Sequence, residues 1–116
     1  MGSLLWDGTK LYHYTIRNGK FTVKEGIVRE SNKKWSYPYV EFDYGRQVAP
    51  RMYKIGELRT GGPSLWLLER DDELAKKMFL EYEEECLRKL EEDVEKRRRL
   101  IESIKEGVED GKTSNN

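Results

Sequence analysis

Leu87, Leu90, Val94, Ile101, Ile104 and Val108 recur at alternating steps of three and four through a stretch otherwise built of Glu, Lys and Arg, and the one missing step falls on Arg97. That spacing is the apolar seam of a coiled-coil helix with a polar interruption. Upstream the apolar positions are denser: Leu74, Ala75, Met78, Phe79, Leu80, Tyr82, Cys86 and Leu87 form a broad stripe, the width expected of a helix that covers a sheet. Between Asp71 and Glu106 there is neither Pro nor Gly, and Glu84/Arg88, Glu85/Lys89, Glu92/Lys96, Asp93/Arg97 and Glu95/Arg99 fall four apart, acid first. Asp71 or Asp72 can cap the first turn, where acids also meet the positive end of the helix dipole. The pattern predicts one helix over Asp71–Asp110.

About 38 helical residues span roughly 57 Å, about twice the extent of a domain made from the rest of the chain. The distal half must therefore overhang, fold back on its own sheet after a kink, or meet a partner. Self-pairing into a homodimer through Leu87, Leu90, Val94, Ile101 and Ile104 is the leading expectation.

Before the helix the period changes to two. Lys10–Arg17 is rich in β-formers, Asn18-Gly19 supplies the positive φ of a two-residue hairpin turn, and Lys20–Glu30 continues as a second strand in which Gly26 suggests a bulge. Ser31–Lys34 reads as a turn. Trp35–Tyr44 reads as a third strand, with Val40, Phe42 and Tyr44 facing one way and Tyr39, Glu41 and Asp43 the other; Pro38 places it at an edge or marks a break. Gly45–Pro50 reads as a loop, Arg51–Ile55 as a fourth strand, Gly61-Gly62-Pro63 as a turn and Ser64–Glu69 as a fifth strand. Together these predict an α+β fold: a four- to five-stranded antiparallel sheet or small barrel over residues 1–70, a long C-terminal helix over 71–110 in the same domain with its distal part left for dimerisation, and a disordered tail over 111–116.

Composition changes this picture chiefly through charge. The 22 basic and 22 acidic residues cancel, but residues 1–60 carry 11 Lys and Arg against 6 Asp and Glu, and the remainder carries the opposite excess of five. The sheet half is basic and the helix half acidic, which suits nucleic acid, a basic protein, or simply solvated faces of opposite sign. The single cysteine excludes an internal disulfide, and without a signal peptide or long apolar run the chain is expected to be soluble, cytoplasmic and free of the membrane.

Candidate chemistry is sparse. His13 and Cys86 are the only His and Cys; Cys86 borders the helix stripe and reads as a buried structural thiol, and His13 as a packed or surface histidine. Zinc would need further ligands at suitable spacing. Gly61-Gly62 precedes Pro63 and a strand rather than a helix start, so it offers no phosphate cradle. No catalytic residue, cofactor, metal or small-molecule substrate is expected. A binding face is better supported: Trp6, Tyr12, Tyr14, Trp35, Tyr37, Tyr39, Tyr44 and Tyr53 are interleaved with Lys10, Arg17, Lys20, Lys24, Arg29, Lys33, Lys34, Arg46, Arg51 and Lys54, the mix from which phosphate contacts and stacking platforms are made. The candidate face within it is Lys10, Tyr12, Tyr14, Arg17, Lys33, Lys34, Trp35, Tyr37, Tyr39, Arg46, Arg51 and Lys54. A small sheet buries its aromatics in any case, so the same residues also suit a core with a solvated surface. Lys96-Arg97-Arg98-Arg99 is a lesser basic patch, with acids four residues earlier to pair three of its members.

A Tyr- and Lys-rich hairpin, an aromatic third strand, the junction Glu69-Arg70-Asp71-Asp72-Glu73-Leu74-Ala75 and a charged helix follow one another in an order that resembles small proteins carried by phages and mobile elements of Gram-positive bacteria. The resemblance implies a non-enzymatic interaction protein, an inhibitor of host defence of the anti-CRISPR kind, often dimeric, that blocks a CRISPR nuclease or its nucleic acid. Such proteins share no binding motif, so the resemblance assigns no residue. The alternative expectation is a nucleic-acid-binding regulatory module that uses the basic aromatic sheet face.

Overall fold

A computed structural model describes residues 6–30 and 37–108 of the chain. The elements run β1 (Lys10–Arg17), β2 (Lys20–Arg29), β3 (Tyr39–Phe42), β4 (Gly45–Val48), a single 3-10 turn (Met52–Lys54), β5 (Ser64–Leu67) and α1 (Asp72–Glu106). The strands make one open sheet in the order β4-β3-β2-β1-β5, antiparallel throughout, so the fold is α+β with a sheet rather than a barrel. Two compact units are distinguished, Met1–Leu80 with the sheet and the first turns of α1, and Glu81–Asn116 with the remainder of the helix.

The β1–β2 hairpin forms as its turn chemistry dictates: Asn18 and Gly19 take φ of 52° and 77°, and Arg17 pairs with Lys20. Gly26 makes no bulge. Pairing runs unbroken from Arg17↔Lys20 to Lys10↔Ile27, with Leu11 opposite Gly26. The glycine answers a different need, because a Cβ there would lie 2.4 Å from Val40 Cγ1 and 2.7 Å from Phe42 Cε1. β2 must present bare backbone where the β3 side chains lean over it.

Two expectations between residues 43 and 55 fail for one reason: local pattern does not show the pairing partner. Asp43 and Tyr44 form a tight turn, and the expected loop after it is β4, in register with β3 from Phe42↔Gly45 to Tyr39↔Val48. Gly, Arg and Gln are poor strand formers, so it is the ladder offered by β3 that makes Gly45–Val48 a strand. Arg51–Ile55, expected as a strand, has no such neighbour and closes on itself, Lys54 N–H donating to the Arg51 carbonyl at 2.8 Å and Ile55 N–H to that of Met52 at 3.1 Å. Its half-buried residues, Met52 and Ile55, are three apart, which suits a turn better than a pleat. The predicted turn before β5 is present, with Arg59 and Ser64 exchanging backbone hydrogen bonds across it. The start of the expected third strand, the turn over Ser31–Lys34 and the tail from 109 onward lie outside the described residues.

Each sheet face carries a core. One contains Leu11, Val28, Val40, Phe42 and Trp66, with Ala49 and Ile55 packed against it. The other contains Tyr14, Leu65 and Leu67 under Ala75 and Phe79 of α1, with Tyr12, Val23, Leu58 and Met78 at its margin. The expected broad stripe is narrower than its spelling. Ala75 and Phe79 are buried, while Leu74, Leu80 and Leu87 are exposed and Cys86 is half-buried rather than enclosed.

The helix start is tied to β1. Asp71 caps it, its Oδ1 accepting from Leu74 N–H at 3.0 Å. The buried Tyr14 hydroxyl donates to Asp72 Oδ1 at 2.7 Å and accepts from Asp71 N–H at 3.0 Å, satisfying an otherwise orphaned amide. Burial, then the bond to Asp72, push the Tyr14 phenol up to about 12. Arg70 and Tyr14 hold the Asp72 carboxyl below the usual carboxylate range.

Candidate nucleic-acid interface

Strand alternation divides the expected binding residues between two faces. Pairing places Lys10, Ile27, Glu41 and Arg46 in one row across β1, β2, β3 and β4, on the same face as Tyr12, Tyr14 and Tyr39 and hence on the side that α1 covers. Tyr14 and Tyr39 are buried there, and Arg46 lies 5.2 Å over the Tyr39 ring, so both tyrosines are core residues rather than contact residues. Cations on this face meet acids: Lys10 reaches Glu25 at 3.8 Å and Arg29 reaches Glu41 at 3.1 Å. Tyr37 is exposed, and Lys33, Lys34 and Trp35 lie outside the described residues.

The opposite face is different in kind. Arg17, Lys20 and Lys24 share it, Arg17 facing Lys20 beside the hairpin turn and Lys24 facing His13. Tyr44, 55% exposed, lies beneath two of these cations, with the Arg17 guanidinium 5.6 Å and the Lys24 ammonium 5.9 Å from its ring centre. Its ring stacks on Phe42 at 5.1 Å, Phe42 approaches Trp66 at 6.1 Å, and Trp66 stacks on His13 at 3.9 Å. Trp66 also borders an open hollow of about 680 Å³ whose rim carries Arg51, Lys54, Arg59 and the 63% exposed Tyr53, against the single acid Glu57. One face thus holds six cations and two exposed tyrosines, and ring contacts lead from Tyr44 through Phe42 and Trp66 to His13. Among the described residues none of the six has a carboxylate within ion-pair distance. Arg17, Arg51 and Lys54 are among the residues expected in a binding face. Lys20, Lys24, Tyr44 and Tyr53 belong to the wider mix of cations and aromatics that the sequence offers, and Arg59 joins them only in the structure. Tyr44 depends on the unexpected turn at 43–44.

His13 is packed, one of the two expectations for it. Its Nε2 has no hydrogen-bond partner, and burial, then the nearby Arg17 charge, lower its pKa from 6.5 to about 4, leaving a neutral ring at neutral pH. Because the unfolded chain takes up this proton first, stability is complete above pH 6.5, falls between 6.5 and 4, and levels off below. The loss should reach about 3 kcal/mol, from about 1.4 kcal/mol for each pH unit between 6.5 and 4. Urea midpoints of the wild type and of His13→Phe, measured from pH 7.5 to 4, should diverge over that window; parallel curves would show that the ring protonates without penalty.

Among the described residues no helix is long and apolar enough to cross a membrane, and no three His, Cys, Asp or Glu side chains gather into a metal-binding group. Compared with models of known families, with curated proteins and with solved structures, the chain matches none. Fold and face together define an α+β chain with a basic, aromatic sheet surface.

Proposed function

We propose that this protein is a non-enzymatic module that binds single-stranded nucleic acid across the sheet face opposite α1. The observation that carries the reading is the contrast between faces: Lys10 and Arg29 are paired with acids, while Arg17, Lys20, Lys24, Arg51, Lys54 and Arg59 surround exposed tyrosines without carboxylate partners among the described residues. Phosphates compete for uncompensated cations, and each base offers a π-face to Tyr44 or Tyr53. A neutral His13 stacked on Trp66 stiffens the run of rings behind Tyr44 without itself binding phosphate.

Fluorescence anisotropy with single-stranded DNA, duplex DNA and structured RNA at several salt concentrations tests this. Single strands should bind, with affinity falling steeply as salt rises. Arg17→Glu with Lys24→Glu should weaken binding at least tenfold and flatten the salt slope by more than one unit, because two fewer phosphates of the strand are neutralised. Lys10→Glu, on the other face, should leave it unchanged. If no nucleic acid binds even at low salt, the face belongs to a protein partner, and inhibition of a CRISPR nuclease, implied by the resemblance of the chain's layout, becomes the reading to test by pull-down and cleavage assays.

A further inference from the structure

The distal part of α1 shows a charge pattern that bears on self-association independently of the sheet face. With Leu87, Val94 and Ile101 at heptad positions a, and Leu90, Arg97 and Ile104 at d, the flanking e positions are Glu84, Glu91, Arg98 and Lys105, so the flank changes sign halfway along. The five apolar seam residues are between 44% and 68% exposed. The ion pairs that Arg88 makes with Glu85 and Glu92, and Arg99 with Glu95, all lie on the outer b and f positions. Lys105 reaches Glu102 at 3.7 Å, while among the described residues Glu84, Glu91 and Arg98 make no ion pair within the chain.

We propose that α1 pairs with α1 of a second copy as an antiparallel two-stranded coiled coil centred between residues 95 and 96. In that register Leu87 packs against Ile104 of the second copy, Leu90 against Ile101, and Val94 against Arg97. The e flanks then set Glu84 against Lys105 and Glu91 against Arg98 of the second copy, each pair occurring twice by symmetry. Slipping one heptad toward the C-terminus sets Arg98 against Arg98. A parallel pair loses more, since it sets Arg97 against Arg97 in a d layer and keeps only Asp93 against Arg98 of the second copy as an attractive flank. Arg97, a defect in the seam of one chain, is what selects the orientation: opposite Val94 it can extend past a small side chain, beside Asp93 of the second copy.

Light scattering on the full chain at tens of micromolar should give a dimer; a monomer there overturns the proposal. Orientation is read from a nitroxide on Glu106→Cys in a Cys86→Ser background, an outer position that disturbs neither seam nor flank. Antiparallel pairing sets the two labels about 30 Å apart, from 21 residues of helical rise. A distance below about 20 Å would mean parallel pairing and refute the register. Glu91→Lys should weaken dimerisation about tenfold, and Glu91→Lys with Arg98→Glu should restore it, because the reversed charges again face each other. In a parallel pair the double variant would set its new carboxylate against Asp93 of the second copy and stay weak. Helix content by circular dichroism should be the same in all variants.

Discussion

Phe79→Ala should cost about 3–5 kcal/mol, the largest loss expected from a single substitution in the sheet unit. Phe79 is 4% exposed, meets the Phe21 ring edge-on at 5.0 Å, and with Ala75 supplies the buried helix residues that close the core over Tyr14, Leu65 and Leu67. Removing the ring leaves a cavity beneath a helix whose Leu74 and Leu80 are exposed, with Met78 at the margin to fill it only in part. A domain of this size has about 5–15 kcal/mol of stability, so the variant should be partly unfolded well below the wild-type urea midpoint. Tryptophan fluorescence, reporting on the buried Trp66, would follow the transition. Phe79→Leu should recover more than half of the loss; an Ala variant within about 1 kcal/mol of wild type would mean that α1 does not close this core.

Gly26→Ala should cost about 3 kcal/mol although it adds one methyl group. The new carbon would sit 2.4 Å from Val40 Cγ1 and within 3 Å of two Phe42 ring atoms. Neither neighbour can yield cheaply. Val40 is fully buried and stiff at χ1, and Phe42 is wedged among His13, Tyr44 and Trp66. The backbone gain from replacing glycine in a strand, about 0.5–1 kcal/mol, is too small to offset this. Val40→Ala alone should destabilise by leaving a void. Combined with Gly26→Ala it should cost less than the sum, since the removed methyl groups vacate the space that the new one needs. Additive losses in the urea midpoint would show that the strain lies elsewhere. Because Phe42 carries Tyr44, Gly26→Ala should also weaken nucleic-acid binding.

Where the sequence is readable, the cause of structure lies within a few residues. Asn18-Gly19 has the chemistry of a hairpin turn and produces one; Asp71 caps the helix, and uninterrupted helix formers carry α1 from Asp72 to Glu106. Only the helix ends differ from expectation, by one residue at the start and, at the finish, in Gly107 and Val108, which follow the last helical residue Glu106. The spacing of Leu87, Leu90, Val94, Ile101 and Ile104 along the distal helix is equally legible, and all five are exposed in the chain.

What stays hidden depends on residues far apart in the chain. Gly45–Val48 is a strand because β3 lies alongside it, and Arg51–Ile55 is a turn because nothing does. Gly26 reads as a bulge in isolation, yet its reason is the pair of side chains from β3 that would strike any Cβ. The basic, aromatic face is the hardest to read. Tyrosines and cations alternate through the first 54 residues, but the pleat sends Tyr12 and Tyr14 under the helix, and only strand pairing brings Arg17, Lys20 and Lys24 to the face where Tyr44 lies. By itself the sequence determined the hairpin, the helix and its cap, because local propensity and fixed periodicity suffice for these. Tertiary structure alone decided which cations lack acidic partners and which aromatic rings meet solvent, because those are properties of neighbours brought together across strands.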